Sequence, residues 1–220
     1  MTHEINNHWL VHPPCDGRPV SLRAIKPKGC QLPLFPTNRS YHPAEYASVE
    51  DLKTAFEKDA LRLNNSGFNI YTPMNLIRSD FAGGVAVKDA DITHRRTILV
   101  DIDRLGDTSC PASDAEIDAA FSLGRDVERY LKGEGFPDPQ WVHSGNGVHL
   151  YFTLPEVPQS PHVTQTVEHF LKGLAAQFNN EVVGVDTSVF NASRITKVIG
   201  TVARKGVESE GRPYRMARVV

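Results

Sequence analysis

TILVDIDRL (97–105) and QWVHSGNGVHLYFTL (140–154) frame the segment whose pattern decides the fold. Thr97–Ile102 is an apolar run too short for a helix, the signature of a strand covered on both faces. Ser113, with Glu116 three residues on, has the spacing of a capping box. Behind it Ile117, Ala120, Phe121, Gly124, Val127 and Leu131 recur at helical spacing. Gly145-Asn146-Gly147 joins two strands, Gln140–Ser144 and Val148–Leu154, as a hairpin. Ser160-Pro161 opens a second helix, with Val163, Val167, Phe170, Leu171, Leu174 and Phe178 facing inward. Val182–Asp186 closes the series as a fourth strand.

The order is β-α-β-β-α-β, the ferredoxin-like or RRM-like unit. Its first and third strands are antiparallel neighbours. The end of strand one, with Asp101 and Asp103, therefore lies beside the start of strand three, with His149, and the SGNG tip shares that edge. Two residues apart on a strand, the acids project from one face. Asp186 sits on the other neighbour of strand one, in a register the sequence leaves open.

Upstream the signals are thinner. Residues 1–47 are rich in Pro, His and Asn and hold one strand, Val20–Ile25. Ser48 and Asp51 cap a helix whose inner face is Leu52, Phe56, Ala60 and Leu63, stopped at Asn64–Gly67. A strand over Phe68–Thr72 breaks at Pro73, and Lys88–Arg96 leads into the second half. The expected architecture is α+β: an N-terminal α/β module (residues 1–90) packed against an RRM-like module (residues 91–220). Arg215–Val220 reads as a strand, and the natural protein is expected to continue beyond it.

Composition excludes little. The chain has 220 residues, 40% of them hydrophobic and 23% charged, as in ordinary globular proteins. No apolar run reaches a membrane span, and the first residues lack a signal peptide's pattern, so a cytoplasmic, membrane-free protein is expected. Cys15, Cys30 and Cys110 stand far apart without CxxC spacing, which argues for reduced thiols and against a zinc module. The net charge of −2 advertises no global basic field, although an acidic site and a basic groove cancel in such a sum.

Asp101-Ile102-Asp103 after a strand suits either a solvated strand end or a metal site. Carboxylates that close repel unless a cation neutralises them, and hard oxygen ligands favour Mg²⁺ or Mn²⁺ over zinc. In His143–His149, Gly145 and Gly147 would let backbone N–H groups approach an anion, with Ser144 and His149 adding side-chain donors. The plainer alternative is a glycine-rich hairpin with incidental polar residues. Asp186 offers a third carboxylate, and Arg194 and Lys205 could clamp phosphates. Acids for metal and bases for triphosphate together are what phosphoryl transfer needs.

LVDIDRL, SGNGVHLYF and VDTSVFNASRITKVIGTVARKG resemble, in order, the three signature motifs of archaeo-eukaryotic primases, above all the primase-polymerases of bacteria, phages and plasmids. The likeness covers about residues 97–206 and is looser upstream, at GFNIYTPMN. It implies an RRM-like catalytic module against an N-terminal α/β module, with the active site between them. Asp101, Asp103 and Asp186 would hold two ions of Mg²⁺ or Mn²⁺. Ser144 and His149 would contact the nucleotide phosphates, assisted by Arg194 and Lys205. Asn146 stands where relatives carry a Lys in the turn. The family's zinc-binding accessory and helicase parts are not in this segment, so a helicase or accessory priming domain is an expected partner.

The activity expected is template-directed phosphodiester formation from NTPs or dNTPs on a single-stranded DNA template and primer. The alternatives are a metal-dependent nuclease or phosphoesterase, and a non-catalytic replication-initiation module that binds nucleic acid. The latter would stack bases on sheet aromatics, which TILVDI lacks. Tyr71, an aromatic with a polar tip on the opposite module, is the candidate for the residue beneath the sugar, its alternative being a packing role.

Overall fold

The structure, a computed structural model, describes residues 2–15, 17–28, 31, 37–106 and 109–220. Cys30 lies outside these, and Cys15 and Cys110 are free thiols. The chain begins with two short helices, α1 (Thr2–Asn6) and α2 (His8–Val11), followed by β1 (Val20–Ile25) and β2 (Asn38–Tyr41). Then come α3 (Val49–Asn65), β3 (Asn69–Pro73), β4 (Leu76–Ile77) and the long β5 (Ile92–Arg104). Next are α4 (Asp114–Gly133), β6 (Gln140–His143), β7 (Gly147–Pro158), α5 (Pro161–Phe178) and β8 (Val183–Val185). The last strands are β9 (Ile195–Lys197), β10 (Val202–Ala203), β11 (Arg215–Met216) and β12 (Arg218–Val219).

Two antiparallel sheets organise most of these elements, and β10 and β11 pair separately as a two-stranded ribbon. β5, β6, β7 and β8 carry the RRM-like order, with β7 and β8 flanking β5, and β4 and β12 extend the same sheet. Val100 and Ile102, alternating with the acids, are fully buried against Ala120, Leu123 and Val127 of α4 and Leu171 and Leu174 of α5. One face of this sheet is thus roofed by helices, and the other turns toward the second sheet. The helix starts follow local chemistry. Ser113 and Glu116 close a reciprocal capping box on α4, and Ser160 Oγ accepts the Val163 N–H at 3.2 Å on α5. Such caps each contribute about 1 kcal/mol.

The second sheet has the order β2-β1-β3-β9 and packs its apolar face, Leu22, Ala24 and Ile70, on Leu52, Phe56 and Leu63 of α3. Residues 2–11, read from the sequence as irregular, form helices whose Ile5 and Trp9 complete this core. The two sheets exchange strands across residue 90. β4 joins the six-stranded sheet, while β9 returns to pair with β3. Among the described residues, no helix is long and apolar enough to cross a membrane.

Candidate active site

The uncovered face of β5 presents Asp101 and Asp103. Asp101 pairs across with His149 and Asp103 with Gly147, both on β7. On the other side Ile102 pairs with Val185, and the Asp186 N–H donates to the Asp101 carbonyl at 2.8 Å. The register that the sequence left open thus sets the third acid directly beside the first. Facing them, alternation along β3 turns Asn69 and Tyr71 toward the acids, while Ile70 enters the core. Tyr71 pairs with Lys197 of β9. The space between is a cleft of about 840 Å³ lined by Asp101, Asp103, Asp186, Ser144, Asn146, His149, Tyr71, Arg194 and Lys205.

Gly145 and Gly147 shape the turn from behind. Gly145 has φ +102°, and a side chain there would strike Ala203; one at Gly147 would strike the Asp103 carboxylate. Their amides are not free for an anion, contrary to the expectation from sequence. Gly145 N–H donates to His143 Nδ1 at 2.9 Å, and Gly147 N–H donates to Ser144 Oγ at 3.1 Å. Polar side chains two and three residues back in the turn consume them locally. Ser144 keeps its hydroxyl hydrogen as a donor. Asn146 Oδ1 accepts the Ala112 N–H at 3.0 Å, which fastens the turn to the start of α4.

The loop carrying Lys205 is held in place by ion pairs. Arg212 donates to both Glu116 oxygens, at 2.7 and 3.0 Å, and Arg215 donates to Asp114 at 2.7 Å. Lys205 Nζ then lies 3.1 Å from Asp103 Oδ2. Burial opposes ionisation of Asp101, but His149, Lys205 and Arg194 outweigh it and hold that carboxyl below its ordinary range. At Asp103 burial and the Asp101 charge prevail over Lys205 and push the carboxyl up. Burial works against the charged form of His149, yet Asp101 and Asp103 outweigh it and raise its pKa.

Among the described residues, no three His, Cys, Asp or Glu side chains already close around one point. The three acids share a wall, with oxygens turned toward His149, Lys205 and the Ser188 N–H, which Asp186 Oδ1 accepts at 2.7 Å. The donor set nonetheless suits a hard cation. Asp101 Oδ1 is buried without a hydrogen-bond partner, His149 Nε2 standing 3.4 Å away. Two adjoining carboxylates of opposite pKa trend are a pair that a divalent ion would relieve.

The cleft also holds two basic side chains, Lys197 and Arg204, that the sequence motifs did not single out. Lys197 is 4% exposed, and its Nζ donates to the neutral Asn69 Oδ1 at 2.7 Å, 5.1 Å from the Tyr71 ring centroid. Burial, reinforced by Arg204, drives its pKa well below the ammonium range. Among the described residues, the Arg204 Nη1 and Arg194 Nε atoms are buried without hydrogen-bond partners, and Arg194 Nη2 donates to the Ser188 carbonyl. The one signal for Lys197 was a lysine interrupting the apolar run ITKVIG (195–200). Burial also raises the Tyr71 hydroxyl, as do the charges of Asp101 and Asp103.

No family model matches the chain, and no curated protein matches it. Similar solved structures include two that match almost the whole of this chain. The primase-polymerase (PrimPol) AEP domain of cyanophage S-2L is 16% identical with a TM-score of 0.52, over 100% of this chain and 89% of that one. The primase RepB′ is 13% identical with a TM-score of 0.51, over 99% of this chain, which spans only 55% of that protein. Identities this low speak to the fold alone: with two antiparallel sheets closing on an acid-lined cleft, the chain has the fold of the archaeo-eukaryotic primase-polymerases.

Proposed function

We propose that the chain is a template-directed nucleotidyltransferase, a DNA primase or polymerase that extends a primer on single-stranded DNA from NTPs or dNTPs. The observation that carries this reading is the charge division of the cleft. Asp101, Asp103 and Asp186 form one wall, and the same cleft is lined by Lys197, Arg194 and Arg204, whose side chains hydrogen-bond no carboxylate among the described residues. A nuclease needs the acids alone. Basic side chains that line a cleft with no carboxylate hydrogen-bonded to them among the described residues suit a polyanion such as a triphosphate.

In this reading Asp101, Asp103 and Asp186 hold Mg²⁺ or Mn²⁺, which when bound supplies Lewis-acid stabilisation of the reacting oxygens. Ser144 donates its hydroxyl and His149 its Nε2 to phosphate oxygens. Lys197, Arg194 and Arg204 neutralise the triphosphate, which also draws Lys205 from Asp103. A primer 3′-oxygen attacks the α-phosphate, the bond to the β,γ-unit breaks and pyrophosphate leaves.

Primer extension with coupled pyrophosphate detection tests the reaction. His149→Ala, Arg194→Ala and Lys205→Ala are each expected to raise the nucleotide KM by roughly tenfold or more, a lost charge-assisted contact, with template affinity little changed. Phosphodiester cleavage without pyrophosphate release would establish the nuclease reading instead. Tyr71→Ala is expected to shift the NTP:dNTP preference more than it lowers incorporation of the favoured nucleotide. An unchanged ratio with a lower Tm would make Tyr71 a packing residue.

A further inference from the structure

His149 is tied to the beginning of the chain through buried polar side chains. Its Nδ1 lies 2.9 Å from the Tyr151 hydroxyl. Thr196, beside Tyr151, has its hydroxyl 3.2 Å from His12 Nε2. The His12 ring also meets the Tyr151 ring edge-on, with centroids 5.2 Å apart at 89°. His149, Tyr151, Thr196 and His12 are 7%, 2%, 2% and 6% exposed. Apolar side chains at such positions would spare about 1–3 kcal/mol for every polar group that failed to find its partner.

The path crosses from one sheet to the other. His149 and Tyr151 stand on β7, Thr196 on β9, and His12 directly follows α2. Helices α1 and α2 are seated by Ile5 and Trp9 in the same core as Val198, two residues beyond Thr196. On a rigid imidazole, a hydrogen bond at Nδ1 sets the direction of Nε2, and His149 Nε2 points at Asp101, 3.4 Å away. Second partners of this kind commonly set a histidine's orientation and tautomer.

We infer that Tyr151, backed by Thr196 and His12, is a positioning residue that aims His149 Nε2 into the nucleotide cleft. Seating of the N-terminal helices is thereby coupled to a competent site. The inference rests on the proposed reading of the cleft, in which His149 meets phosphate. It predicts that the Tyr151 hydroxyl acts only through His149.

The test is a double-mutant cycle read by calorimetric titration with the non-hydrolysable α,β-methylene analogue of dATP and Mg²⁺. Tyr151→Phe keeps the ring packing and is expected to weaken binding roughly fivefold to tenfold, one lost hydrogen bond. In a His149→Ala background the same change is expected to shift Kd by less than about twofold. Wild-type affinity in Tyr151→Phe, or an equal cost in both backgrounds, overturns the inference while leaving the cleft reading intact. Wild-type affinity in His149→Ala overturns both. If Tyr151→Phe does not fold, Thr196→Val run through the same cycle decides, non-additivity supporting the inference and additivity overturning it. Without nucleotide, and at a pH high enough for the ring to be neutral, ¹H–¹⁵N spectra of the histidine rings should show one His149 tautomer in the wild type and a mixture in Tyr151→Phe; an identical pattern counts against positioning.

Discussion

Replacing Asp101 and Asp103 together by alanine is expected to abolish primer extension, a loss of about 10³-fold or more, since each tenfold is about 1.4 kcal/mol and these carboxylates would hold the metal. The fold should survive. The acids are neighbours on one sheet face, with side chains 17% and 32% exposed, and burial first and then repulsion from Asp101 raise the pKa of Asp103. Their removal relieves that repulsion. It also leaves His149 without the charge that raises its pKa, and the buried ring then takes its neutral form. Lys205, 34% exposed, can turn to solvent. A Tm within a few degrees of wild type and no extension with Mg²⁺ or Mn²⁺ is the expected pair of results. Extension at the wild-type rate would end the mechanism.

Lys197→Met is expected to move stability and nucleotide binding in opposite directions. The lysine is buried with only a neutral amide for its Nζ, so the charged form is costly in the free protein. An apolar chain of similar volume should stabilise the fold by about 1–4 kcal/mol. Asn69 Oδ1 keeps a partner, because it also accepts the Arg204 N–H at 2.8 Å. Affinity for the triphosphate should fall by roughly 10- to 100-fold, the loss of a charge-assisted contact. The pH dependence has a defined sign. Folding lowers this pKa, so the unfolded chain binds more protons, and wild-type stability rises with pH between the folded value and about 10.4. The Tm gap between Lys197→Met and wild type should therefore narrow as pH rises through that window. A variant more stable yet equally able to bind nucleotide would show that Lys197 only packs.

How much of this was legible in the sequence varies along the chain. From Thr97 to Asp186 every element of the β-α-β-β-α-β order is present, because each is encoded locally: Ser113–Glu116 and Ser160-Pro161 start helices, and Gly145-Asn146-Gly147 turns a hairpin. Periodicity also extended correctly to the burial of Val100 and Ile102 behind Asp101 and Asp103. The first residues were harder. α1 and α2 are 5 and 4 residues long, too short to show a helical period. They exist because Ile5 and Trp9 find a core made by distant parts of the chain.

By itself the sequence determined the RRM-like order, the pairing of Asp101 and Asp103 on one face, and the neighbourhood of His149, since strand alternation and hairpin chemistry act over a few residues. Only the tertiary structure decided that Asp186 hydrogen-bonds beside Asp101, that β9 leaves the second half to join β3, and that Lys197 is thereby buried in the same cleft as the acids. It decided likewise that the glycine amides are used up inside the turn and that the Tyr151 side chain stands between His149 and His12. These are matters of register and of contact between strands far apart in the chain. No local rule encodes them, because side-chain periodicity says which face a residue takes and nothing about what will stand across from it.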